Sequence, residues 1–140
     1  MSRTSLVARL PSLVYQVVDD IARYPEFVPG CTAADVLERD GRQVVARLEM
    51  RRGPLRTRFT TRNQLDPDRS VHMQLIEGPF KILEGSWQFA PVASNGCRID
   101  FSLRFQFSNP VKSALLEPLF EEAQAELVRA FVARAQSLPG

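Results

Sequence analysis

Histidine occurs once in these 140 residues, as His72. A multi-histidine metal centre is therefore excluded, and any Ser/His/Asp arrangement would have to be built on His72. Cysteine is nearly as scarce. Cys31 and Cys97 are the only two, and they form no CxxC pair, which excludes a zinc ribbon. Two lone thiols suit small core residues and a reducing compartment, so the expected location is the cytoplasm. Long apolar runs are missing as well. The stretch from Leu6 to Val18 is broken by Arg9 and Pro11 and runs into Asp19-Asp20, so it has no signal-peptide core. Nothing approaches the ~20 apolar residues of a membrane span, and no integral membrane segment is expected. Lysine is almost absent: Lys81 and Lys112 stand against sixteen arginines. Either the base composition of the gene explains this, or guanidinium was preferred for planar contacts with phosphate or carboxylate. The net charge of +2 is too small to mark a nucleic-acid binder by itself. No P-loop, GxGxxG or GxSxG is present.

What remains is ordinary globular composition, 44% hydrophobic and 24% charged. A chain this long buries roughly 70% of its unfolded surface, enough for one domain over residues 1–140 with a core of its own. The pattern starts with a short strand around Leu6, Ala8 and Leu10. Pro11 then opens a helix whose apolar face is Leu13, Val14, Val17, Val18 and Ile21. Tyr24 to Gly30, with two prolines and a glycine, reads as a helical turn plus a loop. From Cys31 the period becomes two. Strands are expected over Thr32–Arg39, Val44–Arg51, Leu55–Arg62, Val71–Leu75, Leu83–Phe89 and Cys97–Phe107. They are separated by Asp40-Gly41, Arg52-Gly53-Pro54, Asp66-Pro67-Asp68, Gly78-Pro79 and Ser94-Asn95-Gly96. Asn109 can cap a last helix and Pro110 can begin it. Its expected apolar stripe is Val111, Leu115, Leu119, Ala123, Leu127, Ala130 and Phe131, and Pro118 should kink or divide it.

These elements predict an α+β fold: a seven-stranded antiparallel sheet with one apolar face, wrapped around a long C-terminal helix. A curved sheet need not close fully on one helix, and the space left between them would be an apolar cavity. Phe59, Met73, Trp87, Phe101, Leu103 and Phe105 share the inward parity, opposite Leu119 and Leu127. Leu48, Met50, Thr61 and Leu75 belong to the same face. Such an aromatic-rich face suits a large lipophilic ligand, each buried CH₂ contributing ~0.8 kcal/mol. Phe27 and Phe80, each beside Pro and Gly in a loop, are the expected gates. Catalytic groups are harder to find. His72 has outward parity, and only Glu77 and Glu84, flanking Gly78-Pro79-Phe80, could meet as a carboxylate pair. No catalytic or metal-ligating residue is assigned.

One surface pattern stands apart. Arg47, Arg51, Arg52, Arg56, Arg58 and Arg62 crowd one hairpin against a single acid, Glu49. Five lie on the outward parity and Arg52 at the turn. Like charges facing each other across a ladder are destabilising, so the face invites an anion such as a phosphate backbone. The alternative is an ordinary solvated surface.

Several motifs carry a family resemblance. Tyr24-Pro25-x-Phe27-x-Pro29-x-Cys31 and Gly78-Pro79-Phe80-x-x-Leu83-x-Gly85-x-Trp87-x-Phe89 resemble START-like (SRPBCC) helix-grip proteins of the coenzyme Q-binding group, also labelled polyketide cyclase/dehydrase. Phe59-Thr60-Thr61-Arg62-Asn63-Gln64-Leu65 and Ala130-Phe131-x-x-Arg134-Ala135 look closest to its bacterial branch, the ribosome association toxin RatA family. The likeness runs from Ser2 to Ala135. It implies a helix-grip fold, a lipophilic pocket and no established catalysis. The quinone branch implies bound ubiquinone or another prenyl lipid supporting respiration, with no cofactor required. The toxin branch implies binding to the large ribosomal subunit, a block on subunit association, and an antitoxin protein as partner.

Overall fold

The structure is a computed structural model and describes residues 2–139; Leu55, Leu119 and Phe120 are described by their backbone alone. Strand β1 (Ser2–Val7) leads to helix α1 (Pro11–Asp19), whose first turn is set by Pro11. A 3₁₀ turn at Ile21–Arg23 runs into a single helical turn, α2 (Tyr24–Phe27). Six strands follow: β2 (Cys31–Asp40), β3 (Gln43–Arg52), β4 (Leu55–Asp66), β5 (Ser70–Glu77), β6 (Phe80–Val92) and β7 (Gly96–Phe107). Helix α3 (Pro110–Ser137) ends the chain's secondary structure.

All seven strands form one antiparallel sheet in the order β1-β7-β6-β5-β4-β3-β2. Short turns make the meander from β2 to β7, and β1 closes the far edge against β7. Alternation decides the faces. Along β4, Thr57, Thr61, Asn63 and Leu65 are buried while Arg56, Arg58, Arg62 and Gln64 are exposed. The main core joins Val14, Val18 and Ile21 from the α1 region to Trp87, Phe101 and Ile99 on the sheet and Phe131 on α3. A smaller cluster of Phe80, Leu83 and Phe107 lies beside it, with Phe59, Leu75, Leu103, Phe105 and Leu116 packed around it.

Helix α3 differs from its sequence reading in two ways. It runs as one helix through Pro118, so the proline does not divide it. Proline there removes the amide that would reach the Ala114 carbonyl and crowds that carbonyl with its ring, but Pro118 is exposed, where water can answer the carbonyl. The buried side is also offset by one or two residues from the expected stripe. Val111 and Leu115 are exposed, whereas Ser113, Gln124, Val128, Phe131 and Ala135 are buried. Apolar residues occur on several sides of this helix, so periodicity alone could not fix its rotation. The Asn109 cap is present: its side chain accepts hydrogen bonds from the Val111 and Lys112 amides.

Candidate functional site: the cavity under the last helix and the arginine face

Between α3 and the inner face of the sheet lies a cavity of about 150 Å³ with predominantly apolar walls. The sheet supplies Leu48 and Met50 from β3, Phe59 and Thr61 from β4, Met73 from β5, Leu83, Gly85 and Trp87 from β6, and Phe101 and Leu103 from β7. The helix supplies Ala123, Gln124, Leu127 and Phe131. Gly85 helps to create the space. It pairs with Met73 and Leu103 across the ladder, and a Cβ there would stand 2.5 Å from the Met73 methyl and 3.2 Å from Leu103 Cδ1. Trp87 anchors one wall, its ring centroid 4.4 Å from Phe101 and 4.8 Å from Phe131.

Nine of the sequence-predicted ligand residues therefore border this cavity: Leu48, Met50, Phe59, Thr61, Met73, Trp87, Phe101, Leu103 and Leu127. The side chain of Leu119 lies outside the described residues. Four others sit elsewhere. Leu75 and Phe105 pack on the smaller cluster, because the sheet carries them past the end of the cavity. Phe80 is no gate. It is 5% exposed, stacked on Phe107 at 4.8 Å and edge-on to Phe59 at 5.7 Å. Phe27 is edge-on to Tyr24 and Phe131, with the Arg134 guanidinium 5.1 Å above its ring. Both aromatics are held as packing residues. The mouth is instead marked by the exposed lining residues Pro29, Gly30 and Arg51, beside the β3–β4 turn.

Sequence reasoning missed Tyr24 and Gln124. Tyr24 borders the cavity, and its hydroxyl donates to the Val18 carbonyl. Burial raises its pKa well above the ordinary tyrosine range, so it is a fixed neutral group. Gln124 is 2% exposed, and neither Oε1 nor Nε2 has a hydrogen-bond partner among the described residues. A polar residue inside an apolar helical stripe was the available signal.

The outer face carries the arginines. Arg47, Arg51, Arg56, Arg58 and Arg62 are exposed there. Arg51 stands directly opposite Arg56, and Glu49 opposite Arg58. Arg47 reaches Asp35 at 3.9 Å; Arg51, Arg56, Arg58 and Arg62 have no ion pair among the described residues. Arg52 departs from the expected set. It donates to both carboxylate oxygens of Glu126 on α3, at 2.8 and 3.1 Å, with Glu122 3.9 Å away, and it borders the cavity. The chain turns after Arg52, so its side chain takes the inner parity of β3.

Among the described residues, the sequence's candidate catalytic groups do not come together. Glu84 faces Arg104 at 3.5 Å on the outer face and does not meet Glu77. His72 is exposed on the same face, opposite Gln64 and Ser86. Cys31 and Cys97 are free thiols, and burial raises the pKa of both. Among the described residues, no three His, Cys, Asp or Glu cluster as a metal site, and no helix is long and apolar enough to cross a membrane.

A seven-stranded sheet gripping one long helix over an apolar cavity defines a START-type helix-grip domain. A START superfamily protein from Mycobacterium smegmatis superposes with a TM-score of 0.85 at 21% identity, covering 99% of this chain and 98% of that one. Residues 7–132 match the family described as Polyketide cyclase / dehydrase and lipid transport, and the chain belongs to it. The ribosome association toxin RatA of Escherichia coli K12 is 40% identical over 138 residues, 99% of this chain and 87% of that protein. The mitochondrial coenzyme Q-binding protein COQ10 homolog B of Xenopus laevis is 30% identical over 91% of this chain and 54% of that protein.

Proposed function

We propose that this protein is a RatA-type ribosome-binding inhibitor of translation that acts in the cytoplasm. The observation that carries the reading is the outer face of β3 and β4. Five arginines project from two paired strands, and four of them have no ion pair among the described residues. Ribosomal RNA offers the phosphates such a surface lacks, and guanidinium binds phosphate in a bidentate fork. The 40% identity to a ribosome association toxin over nearly the whole chain supports the same partner. Occupying the large subunit at its joining surface would block subunit association without any catalytic step; an antitoxin protein would then relieve the block. The test is Arg51→Gln, Arg56→Gln and Arg58→Gln together. Sedimentation with ribosomes should be lost while folding is kept. Undiminished ribosome binding would reject the arginine face.

The cavity favours a second role, non-enzymatic binding of a lipophilic, quinone-like ligand. Its volume of about 150 Å³ suits one substituted ring. The tail of a ubiquinone or other prenyl lipid would leave through the mouth beside Pro29 and Gly30. The similarity to a coenzyme Q-binding protein supports this ligand class. Native mass spectrometry of the purified protein, followed by solvent extraction, tests it. A co-purifying prenylquinone is the expected result, and failure to bind added short-chain ubiquinone would reject it.

A further inference from the structure

The side chain of Gln124 is a costly choice for its position. It lies on the cavity side of α3, 2% exposed, with both polar atoms unpartnered among the described residues. Its surroundings are apolar: Leu127 and Phe131 on the same helix, Trp87, Phe101 and Leu103 across the cavity. A buried amide without hydrogen bonds is destabilising relative to an apolar side chain of the same length. Leucine or methionine would serve packing better, so a role in packing does not explain glutamine.

We infer that the Gln124 carboxamide binds a hydroxyl group on an otherwise apolar ring held in this cavity. The inference rests on the reading of the cavity as a lipophilic ligand site and specifies the chemistry it selects. A primary amide presents an acceptor and a donor side by side. A hydroxyl answers both, donating its hydrogen to Oε1 while its oxygen accepts from Nε2. A quinone carbonyl or an ether only accepts and would leave Oε1 unpaired. An unsubstituted ring would leave both atoms unpaired. The other polar groups on the wall point to a neutral ligand. Thr61 Oγ1 donates to Asn63 Oδ1 at 3.1 Å, and the Arg52 guanidinium at the rim is engaged by Glu126. Arg51, the one lining cation without an ion pair among the described residues, has the outward parity of β3 and is exposed at the mouth, and no carboxylate lines the cavity among them. The ligand class is therefore a phenol or hydroquinone, with the reduced ring preferred over the quinone.

The test uses three probes of matched shape, 4-propylphenol, 4-propylanisole and propylbenzene, titrated calorimetrically into the full chain. The phenol should bind roughly tenfold more tightly than the ether, the effect of one net hydrogen bond. Gln124→Met keeps the length of the side chain and removes its polarity. In that variant the phenol's advantage should vanish, propylbenzene should still bind, and the free protein should melt at a higher temperature. Equal affinity for phenol and ether in the unchanged protein would overturn the inference, since solvent would then be answering the amide. A phenol preference that survives in Gln124→Met would overturn it too. If none of the three rings binds the unchanged protein, the cavity reading itself fails and the inference falls with it. The comparison on the unchanged chain does not depend on how the variant folds.

Discussion

Arg52, at the end of β3, and Glu126, on α3, form a two-bond fork across 74 residues of chain, with distances of 2.8 and 3.1 Å. The pair fastens the β3–β4 hairpin to the helix at the rim of the cavity. Its effect on stability should be small, because both side chains remain partly exposed, at 32% and 38%. Its effect on access should be larger. Arg52→Gln should leave the melting temperature nearly unchanged while speeding ligand exchange, measured by stopped-flow displacement. Equal exchange rates would show that the fork does not restrict the mouth. The pH dependence has a definite sign. Hydrogen bonding from Arg52 lowers the Glu126 pKa below that of an unfolded glutamate. The fork's contribution is therefore present above the ordinary glutamate pKa and is lost as pH falls through the lowered value. Faster exchange in acid should appear in the wild type and be absent in Arg52→Gln.

Filling and emptying the cavity wall should have opposite consequences. Leu103→Trp adds volume from the sheet side into the cavity. It should abolish uptake of any ring at a cost of roughly 1–3 kcal/mol from overpacking. Trp87→Ala removes a ring that packs on Phe101 and Phe131 and should cost about 3–5 kcal/mol in chemical denaturation. Unaltered ligand binding in Leu103→Trp would place the ligand somewhere else.

The parts legible in sequence were those that one period decides. Five turns rich in Gly, Pro, Asn and Asp separate strands whose alternation settles which face is wet, so the meander and the outward arginines follow directly. At the ends of elements the reading is weaker. Arg52 sits at the end of β3, and its inward course depends on a partner 74 residues away. Leu75 and Phe105 share the right sheet face but lie past the end of the cavity, and parity carries no information about position along a strand. Helix α3 shows a third limit. Its apolar residues spread around the axis, so tertiary packing chose the buried side and turned Val111 and Leu115 outward. The burial of Gln124 follows from the same packing: a glutamine beside an apolar stripe is a signal only once the rotation of its helix is known.

Gly30 and Gly41 provide a controlled comparison of backbone demand. Both have positive φ, +80° and +59°. A Cβ on Gly41 would meet nothing within 4 Å, whereas one on Gly30 would stand 2.7 Å from the Arg51 carbonyl oxygen. The Arg51 amide also donates to the Gly30 carbonyl at 2.7 Å, so the two backbones cannot separate without losing that bond. Gly41→Ala should therefore carry only the left-handed penalty of about 1–2 kcal/mol. Gly30→Ala should cost clearly more and loosen the cavity rim. Urea titrations of the two variants measure the difference, and equal losses would mean that the rim adapts.

The outer face makes two salt effects run in opposite directions. Arg51 and Arg56 stand directly opposite each other in the β3–β4 ladder, and neither has an ion pair among the described residues. Like charges in that position destabilise a sheet by roughly 0.2–1 kcal/mol. Added salt screens exposed charges over a Debye length of about 10 Å at 0.1 M. Raising sodium chloride from low concentration should therefore raise the melting temperature of the free protein. The same salt should weaken binding to ribosomal RNA, because each arginine–phosphate contact releases roughly one counterion. Arg56→Gln removes one member of the opposed pair. That variant should melt slightly higher than the wild type at low salt, converge with it at high salt, and bind ribosomes with a shallower salt slope. A surface evolved only for solubility predicts a different outcome: the stability effect would remain, but the salt slope of ribosome binding would be the same in the variant and the wild type.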